Sequence, residues 1–296
     1  MTAFRPQSPP LAPNYRGLLS DAPSRPAEPL EARAHDRLRA DRVTAVFDLS
    51  WVCIDALHVG TGGSCIVDGE EGATLARATL HCRRGDGEVP VIPGASIKGA
   101  VRSLAEAIGG GCAEFCGRCV VCGLFGYATA LEPYESRVAF GDALHAADSP
   151  PTLGTAMLPV AYPPRLEQGR RIYAVPVGMR NGPVPYEVVA PGSRFDGELA
   201  VRNVTRSELG LVALCMGLDG TFHLRVGGGK FAGLGRVKCV VRGARVRDAV
   251  KRRAERKTGE EAAKFVGECI RAFRPPTQAA EETLRVVREV LGSKQG

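Results

Sequence analysis

The chain lacks any run of about 18 apolar residues of the kind that crosses a bilayer. Its N-terminal region also lacks the continuous apolar core of a secretory signal. The expected location is therefore cytoplasmic, with no membrane partner. In that reducing compartment disulfides are not expected, so clustering among the ten cysteines points to metal or redox chemistry. Two nucleotide motifs also fall short. Lys230 follows three glycines but is followed by Phe231, where a phosphate-binding P-loop needs Ser or Thr. A dinucleotide fingerprint needs a helix after its glycines, whereas "RVKCVVRG" reads as a strand. No short-period repeat is present.

What is there is an ordinary globular composition: 296 residues, 44% hydrophobic and 24% charged, enough for one large or two modest domains. The formal charge of +7, with a pI near 9.0, favours polyanionic partners without naming one. Residues 1–40 hold seven prolines before Leu30 and no periodic apolar face, so a disordered extension is expected. Folded structure should begin near Val43, in the alternating run "VTAVFDLSWVCIDALHVG". Residues 60–88 read as a long loop with one short strand, "ATLHC", followed by a helix from Ser96. "SRVAFGDALH" reads as a strand and 150–186 as irregular chain or a protruding hairpin. "YEVVAPGSRFDGELAVRNV" gives a turn and a strand, "SELGLVALCMGL" a helix, and 248–292 one or two helices broken at Pro275-Pro276. Strands and helices in this order predict an α+β fold with a ferredoxin-like core and long insertions.

Three motifs carry chemistry. In "VPVIPGASIKGAVRSLAEAI" a strand ends at Pro93-Gly94, Ser96 is the expected helix cap, and Lys98 and Arg102 stand one turn apart. Cations at a helix N-terminus oppose its dipole by roughly 0.3 to 1 kcal/mol each. A bound anion reverses that penalty, so free amides plus two cations form a phosphate seat. In "RVGGGKFAGLGRV" five glycines stand among Arg225, Lys230 and Arg236, a loop suited to tracking a sugar-phosphate backbone or to a structural turn. In "CAEFCGRCVVC" four thiols, Cys112, Cys116, Cys119 and Cys122, fall within eleven residues, and a tetrahedral Zn ion is the leading occupant. His81 or Cys82 is a substitute ligand should one thiol point away. The spacing of the first three cysteines also matches iron-sulfur radical enzymes, although the flanking elements do not.

Taken together, the "PGASIKG" turn, "CVVCGLFG" followed by "SRVAFGDA", "YEVVAPGSRFDGEL" and "VGGGKFAGLGRVKC" resemble, in that order, the RAMP superfamily of CRISPR effectors, closest to its backbone subunit in type III and related complexes. The resemblance runs from about Val43 to Val241. It implies a modified RNA-recognition-type core over 41–247 with a zinc knuckle at 109–126; the segment 248–296 carries no motif of the family and reads as helical from its pattern alone. It implies guide RNA (crRNA) and target RNA as ligands, and further copies of the chain and other effector subunits as partners. Guide phosphates would be held by Ser96, Lys98 and Arg102, and by the loop residues Gly228, Gly229 and Lys230, with Arg236 and His58 alongside. A thumb hairpin at about 156–186 would kink the guide-target duplex through Met157, Tyr162 and Met179. The chain has no aromatic motif on a central strand, so base stacking on an open sheet is not expected. Slicing members use an aspartate about a dozen residues before the "IPG" strand to cut target RNA with a divalent metal. Here that count lands on Ala78, which leaves Asp68, or Glu71, as the candidate acid and Mg as the candidate cofactor of an alternative ribonuclease reading.

Overall fold

The computed structural model describes residues 15–18, 35–69, 72–112, 116–128, 133–148, 150–160, 170–173, 181–248 and 253–292. In chain order the elements are β1 (Tyr15–Leu18), β2 (Val43–Cys53), β3 (Gly60–Gly69), β4 (Gly72–Thr79), β5 (His81–Arg84), β6 (Gly87–Ile92), α1 (Gly94–Ile108) and α2 (Val120–Phe125). There follow β7 (Val138–Phe140), β8 (Ala143–His145), β9 (Leu153–Leu158), β10 (Arg170–Tyr173), β11 (Val184–Val189), β12 (Arg194–Val204) and α3 (Arg206–Cys215). The last are β13 (Leu224–Arg225), a 3-10 turn (Lys230–Ala232), β14 (Arg236–Asp248), β15 (Arg253–Lys257), α4 (Gly259–Ala272) and α5 (Gln278–Leu291).

The core is β2–α1–β8–β12–α3–β14. Its strands lie side by side as fourth, first, third and second, β14-β2-β12-β8, and every neighbouring pair is antiparallel. That is the βαββαβ arrangement of ferredoxin-like folds. Alternation along β2 explains its place at the centre. Val43, Ala45, Phe47, Leu49, Trp51 and Cys53 are all buried on the helix-covered face, whereas Thr44, Val46, Asp48 and Val52 are only partly covered. Helix α1 lays Ile97, Val101, Leu104, Ala105 and Ile108 on this core at helical spacing. Helix α4 approaches α3 so closely that a Cβ on Gly210 would lie 2.0 Å from the Cys269 carbonyl oxygen.

Four expectations are corrected. Residues 60–88 are two hairpins, β3–β4 and β5–β6, and not a loop with one strand. The alternating run from Val43 ends its strand at Cys53, because the chain turns to pair Leu57 with Val189 before Gly60. Part of the expected extension is held: β1 pairs with β10, and Asn203 anchors residues 35–40 by accepting from the Arg39 amide and donating to the Arg37 carbonyl. The C-terminal segment begins with β15 paired to β14, and only then come two helices, separated around Pro275-Pro276 as the sequence suggests.

One buried ion pair ties the layers together. Arg137 has its side chain fully buried and donates to Glu208 through both terminal nitrogens, at 2.5 and 3.1 Å. The same guanidinium donates to the carbonyls of Gly123 and Asn203. Glu208 in turn closes a capping box with Thr205 at the start of α3. Removing one member leaves a buried charge unpaired, which costs about 3–5 kcal/mol. Arg137→Met should lower the urea unfolding free energy by that amount, and Glu208→Leu added to it should recover part of the loss.

Candidate nucleic-acid interface and metal centre

Three backbone hydrogen bonds assemble the site. Gly228 N–H donates to the His58 carbonyl at 2.8 Å, Leu80 N–H to the Val59 carbonyl at 2.6 Å, and Val91 N–H to the Leu80 carbonyl at 3.1 Å. The glycine-rich loop, the segment after β2, the chain between β4 and β5, and the strand feeding α1 thus run side by side. At ordinary strand spacing the row is roughly 14 Å wide. It brings two motifs that are more than 120 residues apart in sequence to one edge of the fold.

The helix start differs from expectation in its cap. Pro93 occupies the N-cap position and Ser96 does not cap; its amide instead donates to the Pro93 carbonyl at 2.9 Å. The Asp142 carboxylate, from the turn between β7 and β8, accepts from Gly94 N–H at 2.8 Å. Glycine is required there because a Cβ on Gly94 would lie 2.0 Å from the Phe140 carbonyl oxygen. The two cations also part company. Arg102 is engaged within the protein, pairing with Glu106 at 2.9 Å and donating to the Gly126 carbonyl at 2.8 Å. Lys98 is half-buried, and no carboxylate among the described residues pairs with it. Burial, followed by the neighbouring Arg102 charge, holds its pKa below the ordinary lysine value.

The glycine loop is built by its own arginines. Gly227 and Gly229 have positive φ, 77° and 69°, and a Cβ on Gly227 would lie 2.2 Å from the His58 carbonyl oxygen. Arg225 donates one terminal nitrogen to the carbonyls of Lys230 and Leu234, which staples the turn from beneath; burial lowers its pKa to about 10. Arg236 is bound bidentately to Asp55 at 2.8 and 2.9 Å, so it braces the loop's exit. Lys230 remains without a carboxylate partner among the described residues, and burial, then Arg225, lowers its pKa. His58 is buried and neutral in its preferred state, since burial lowers its pKa. Its Nδ1 donates to the Glu187 carbonyl at 2.8 Å, and its ring meets Tyr186 edge-on at 4.9 Å. That leaves Nε2 toward Gly60 and Gly228.

The candidate acid lies apart from this group. Asp68 is exposed near the tip of the β3–β4 hairpin, opposite Ala73 and eight residues along β3 from Gly60, which is roughly 26 Å of strand. Sequence reasoning missed the carboxylate that does adjoin Ala78. The register that pairs Tyr186 with Arg77 sets Glu187 beside Ala78, and Glu187 Oε2 accepts from Thr79 N–H at 2.9 Å. No motif signals Glu187, because strand pairing alone brings it there. Of the wedge residues, Met157 lies on β9 and is 42% exposed, while Tyr162 and Met179 lie outside the described residues, as does the other candidate acid, Glu71.

The four cysteines converge. The sulfurs of Cys112, Cys116, Cys119 and Cys122 all lie within 4.8 Å of one another, and His81 and Cys82 are not among them. Cys112 is 3.5 Å from Cys122 and 3.7 Å from Cys119. A tetrahedral ion with metal–sulfur bonds of ~2.3 Å needs sulfurs ~3.8 Å apart, so this set fits a single ion. Cys119 caps α2 and accepts from Cys122 N–H at 3.4 Å, while Cys112 and Cys116 accept from the amides of Cys116 and Arg118. Donation from the Cys122 thiol holds the Cys119 pKa at about 4, and that same donation, followed by burial, pushes Cys122 up. The donor set is that of a soft, four-coordinate metal knuckle. Metal binding should therefore carry folding energy. A strong chelator should lower the melting temperature of the wild type, and Cys119→Ser with Cys122→Ser should lower it similarly and abolish any further effect of chelator, as read by thermal denaturation with elemental analysis.

Among the described residues no helix is long and apolar enough to cross a membrane. A search of curated proteins gives no match. The family model described as RAMP superfamily matches residues 53–238, close to two thirds of the chain, and spans both the helix-start turn and the glycine loop. With its ferredoxin-like core and cysteine knuckle, the chain belongs to the RAMP superfamily of CRISPR-associated RNA-binding proteins.

Proposed function

We propose that this chain is a guide-RNA-binding backbone subunit of a cytoplasmic CRISPR effector, present in several copies along the guide. In this reading residues 41–247 form the RNA-binding core, the segment 156–186 is the thumb that kinks the guide-target duplex, and the knuckle at 109–126 holds structural zinc. The observation that carries it is Lys98, a half-buried cation with a lowered pKa and no carboxylate partner among the described residues, on the same edge as Lys230 in a like state. Separate phosphates of one RNA backbone satisfy the two lysines. Arg102 and Arg236, engaged with Glu106 and Asp55, serve by positioning α1 and the loop. Contacts to phosphate make the affinity indifferent to most of the guide sequence and steeply dependent on salt.

Lys98→Glu should abolish co-purification of guide RNA while the circular dichroism spectrum is unchanged; undiminished RNA content, read by absorbance ratio and sizing, refutes the reading. The pH dependence has a definite sign. Phosphate favours the protonated lysine, so bound RNA raises its pKa, and affinity should fall as pH rises through the lowered pKa of free Lys98. Lys98→Arg should bind and lose that fall.

A second reading, a Mg-dependent ribonuclease cutting target RNA at regular intervals, is favoured by the carboxylate of Glu187 beside Ala78 more than by distant Asp68. Incubating the assembled complex with labelled target and Mg separates the readings. Fragments at fixed spacing that vanish in Glu187→Gln but persist in Asp68→Ala support the enzyme, and intact target supports a subunit that only binds.

A further inference from the structure

The charge of this molecule is unevenly placed. Residues 242–257 hold eight basic residues against two carboxylates, an excess of six in a chain whose whole formal charge is +7. Strand pairing gathers part of that excess on one face. Arg245 stands directly opposite Arg256, and Arg247 opposite Ala254. Cross-strand partners and alternate residues share a face, so Arg245, Arg247 and Arg256 project together, about 7 Å apart along β14 and about 5 Å across to β15. Ala244, on the opposite face of β14, is buried, so the three arginines point away from the helices. Arg242 is exposed just before them, at the irregularity between Val241 and Gly243.

Like charges directly opposite on paired strands destabilise the pair, and the protein's own carboxylates relieve only one of these arginines. Asp48 and Glu198 hold Arg245, at 3.0 and 2.6 Å. Glu255 projects from the other face of β15 and pairs with Lys257 at 3.2 Å. Arg242, Arg247 and Arg256 are exposed and pair with no carboxylate among the described residues. Charges on an outer strand discourage strand addition, which accounts for Arg256 on β15. It does not account for the arginines of β14, which lies between β2 and β15. The partner that fits is a phosphate backbone: the planar guanidinium takes phosphate oxygens two at a time, and cations closer than a Debye length of ~10 Å act as one field. This face is also remote from the edge that carries Lys98 and Lys230. β14 leaves the glycine loop at Arg236 and reaches Arg247 eleven residues on, roughly 35 Å of strand.

We propose that Arg242, Arg247 and Arg256 form a second nucleic-acid track, which holds the phosphate backbone of a strand other than the guide segment on the Lys98–Lys230 edge. It shares no residue with the guide-binding reading and stands without it. Arg245 positions the track: anchored by Asp48 and Glu198, it sets the register that brings Arg247 and Arg256 side by side. Contacts of this kind carry no base sequence and weaken steeply with salt.

The test is fluorescence anisotropy of a labelled oligouridine RNA with nuclease-treated full chain at low salt. The Lys98→Glu chain should keep measurable RNA binding, and adding Arg247→Gln with Arg256→Gln should weaken that remainder at least tenfold with unchanged circular dichroism. The slope of log affinity against log salt should flatten by about two, one for each phosphate contact removed. Arg247→Lys with Arg256→Lys should restore most of the binding. In the otherwise wild-type chain the glutamine pair should leave co-purified guide RNA undiminished, so failure of the guide reading, which shows in Lys98→Glu alone, is told apart. Should the glutamine pair unfold, Arg247→Gln alone is read, with a slope change of about one. Blunt duplex DNA of the same length, run in parallel, distinguishes a track for single strands from one that accepts any phosphate backbone. A Lys98→Glu chain with no remaining RNA binding, a glutamine pair that binds as tightly as its parent, or loss of co-purified guide in that pair overturns the proposal. So does a glutamine pair that keeps its RNA affinity but loses an acidic protein partner, which assigns the face to protein.

Discussion

The site depends on the row of backbone hydrogen bonds that runs from Gly228 through His58-Val59 and Leu80 to Val91. Backbone amides and carbonyls must be paired when buried, and here three irregular segments are paired with one another and with β6. The row dictates side chains around it. Gly227 must lack a Cβ to let the loop reach the His58 carbonyl, and His58 must be buried for its ring to sit between Tyr186 and the loop. Its imidazole is thereby a structural strut with one nitrogen spoken for by Glu187, so its chemistry is that of a neutral spacer more than of a base.

Rigidity behind the row comes from Arg137. One guanidinium joins the short helix that carries Cys122 of the knuckle, the end of β12 and the first turn of α3. Arg102 makes a parallel connection from α1 to Gly126, just past the same short helix. The knuckle is thus wired by two arginines to the helices that cover the sheet. A metal held by its four thiols would fix α1 through these contacts, and so would bear on Lys98 from a distance.

Much of this was legible in the sequence, for local reasons. Strict alternation in β2 and helical spacing in α1 are properties of neighbouring residues, and the four-cysteine spacing limits how its sulfurs can be arranged. The unreadable parts depend on distant partners. Ser96 is a good capping residue three positions too late, and the group that takes the first free amide, Asp142, comes from 48 residues away. Residues 60–79 are glycine-rich and weakly apolar, which reads as loop, yet pairing in register makes them a hairpin and exposes Ile66 and Leu75. β15, "RAERK", has the composition of a helix and becomes a strand because the outer edge of β14 is there to receive it. Glu187 carries no motif at all, and its place beside Ala78 is a fact of register.

The Asp142 cap also changes the electrostatics of the helix start. With a carboxylate already on the Gly94 amide, part of the positive end of the α1 dipole is neutralised from within, and an incoming phosphate meets a local negative charge as well. In the proposed reading the dipole is therefore not what draws RNA to this edge. That attraction falls to cations, and of the two in the first turns only Lys98 is uncommitted. The same carboxylate lessens the dipole's penalty on Lys98, which lets a half-buried lysine persist there when no ligand is bound. Cation and cap form one device: Asp142 lessens the dipole's cost to the lysine, and in the proposed reading the lysine, short of a partner, supplies the affinity.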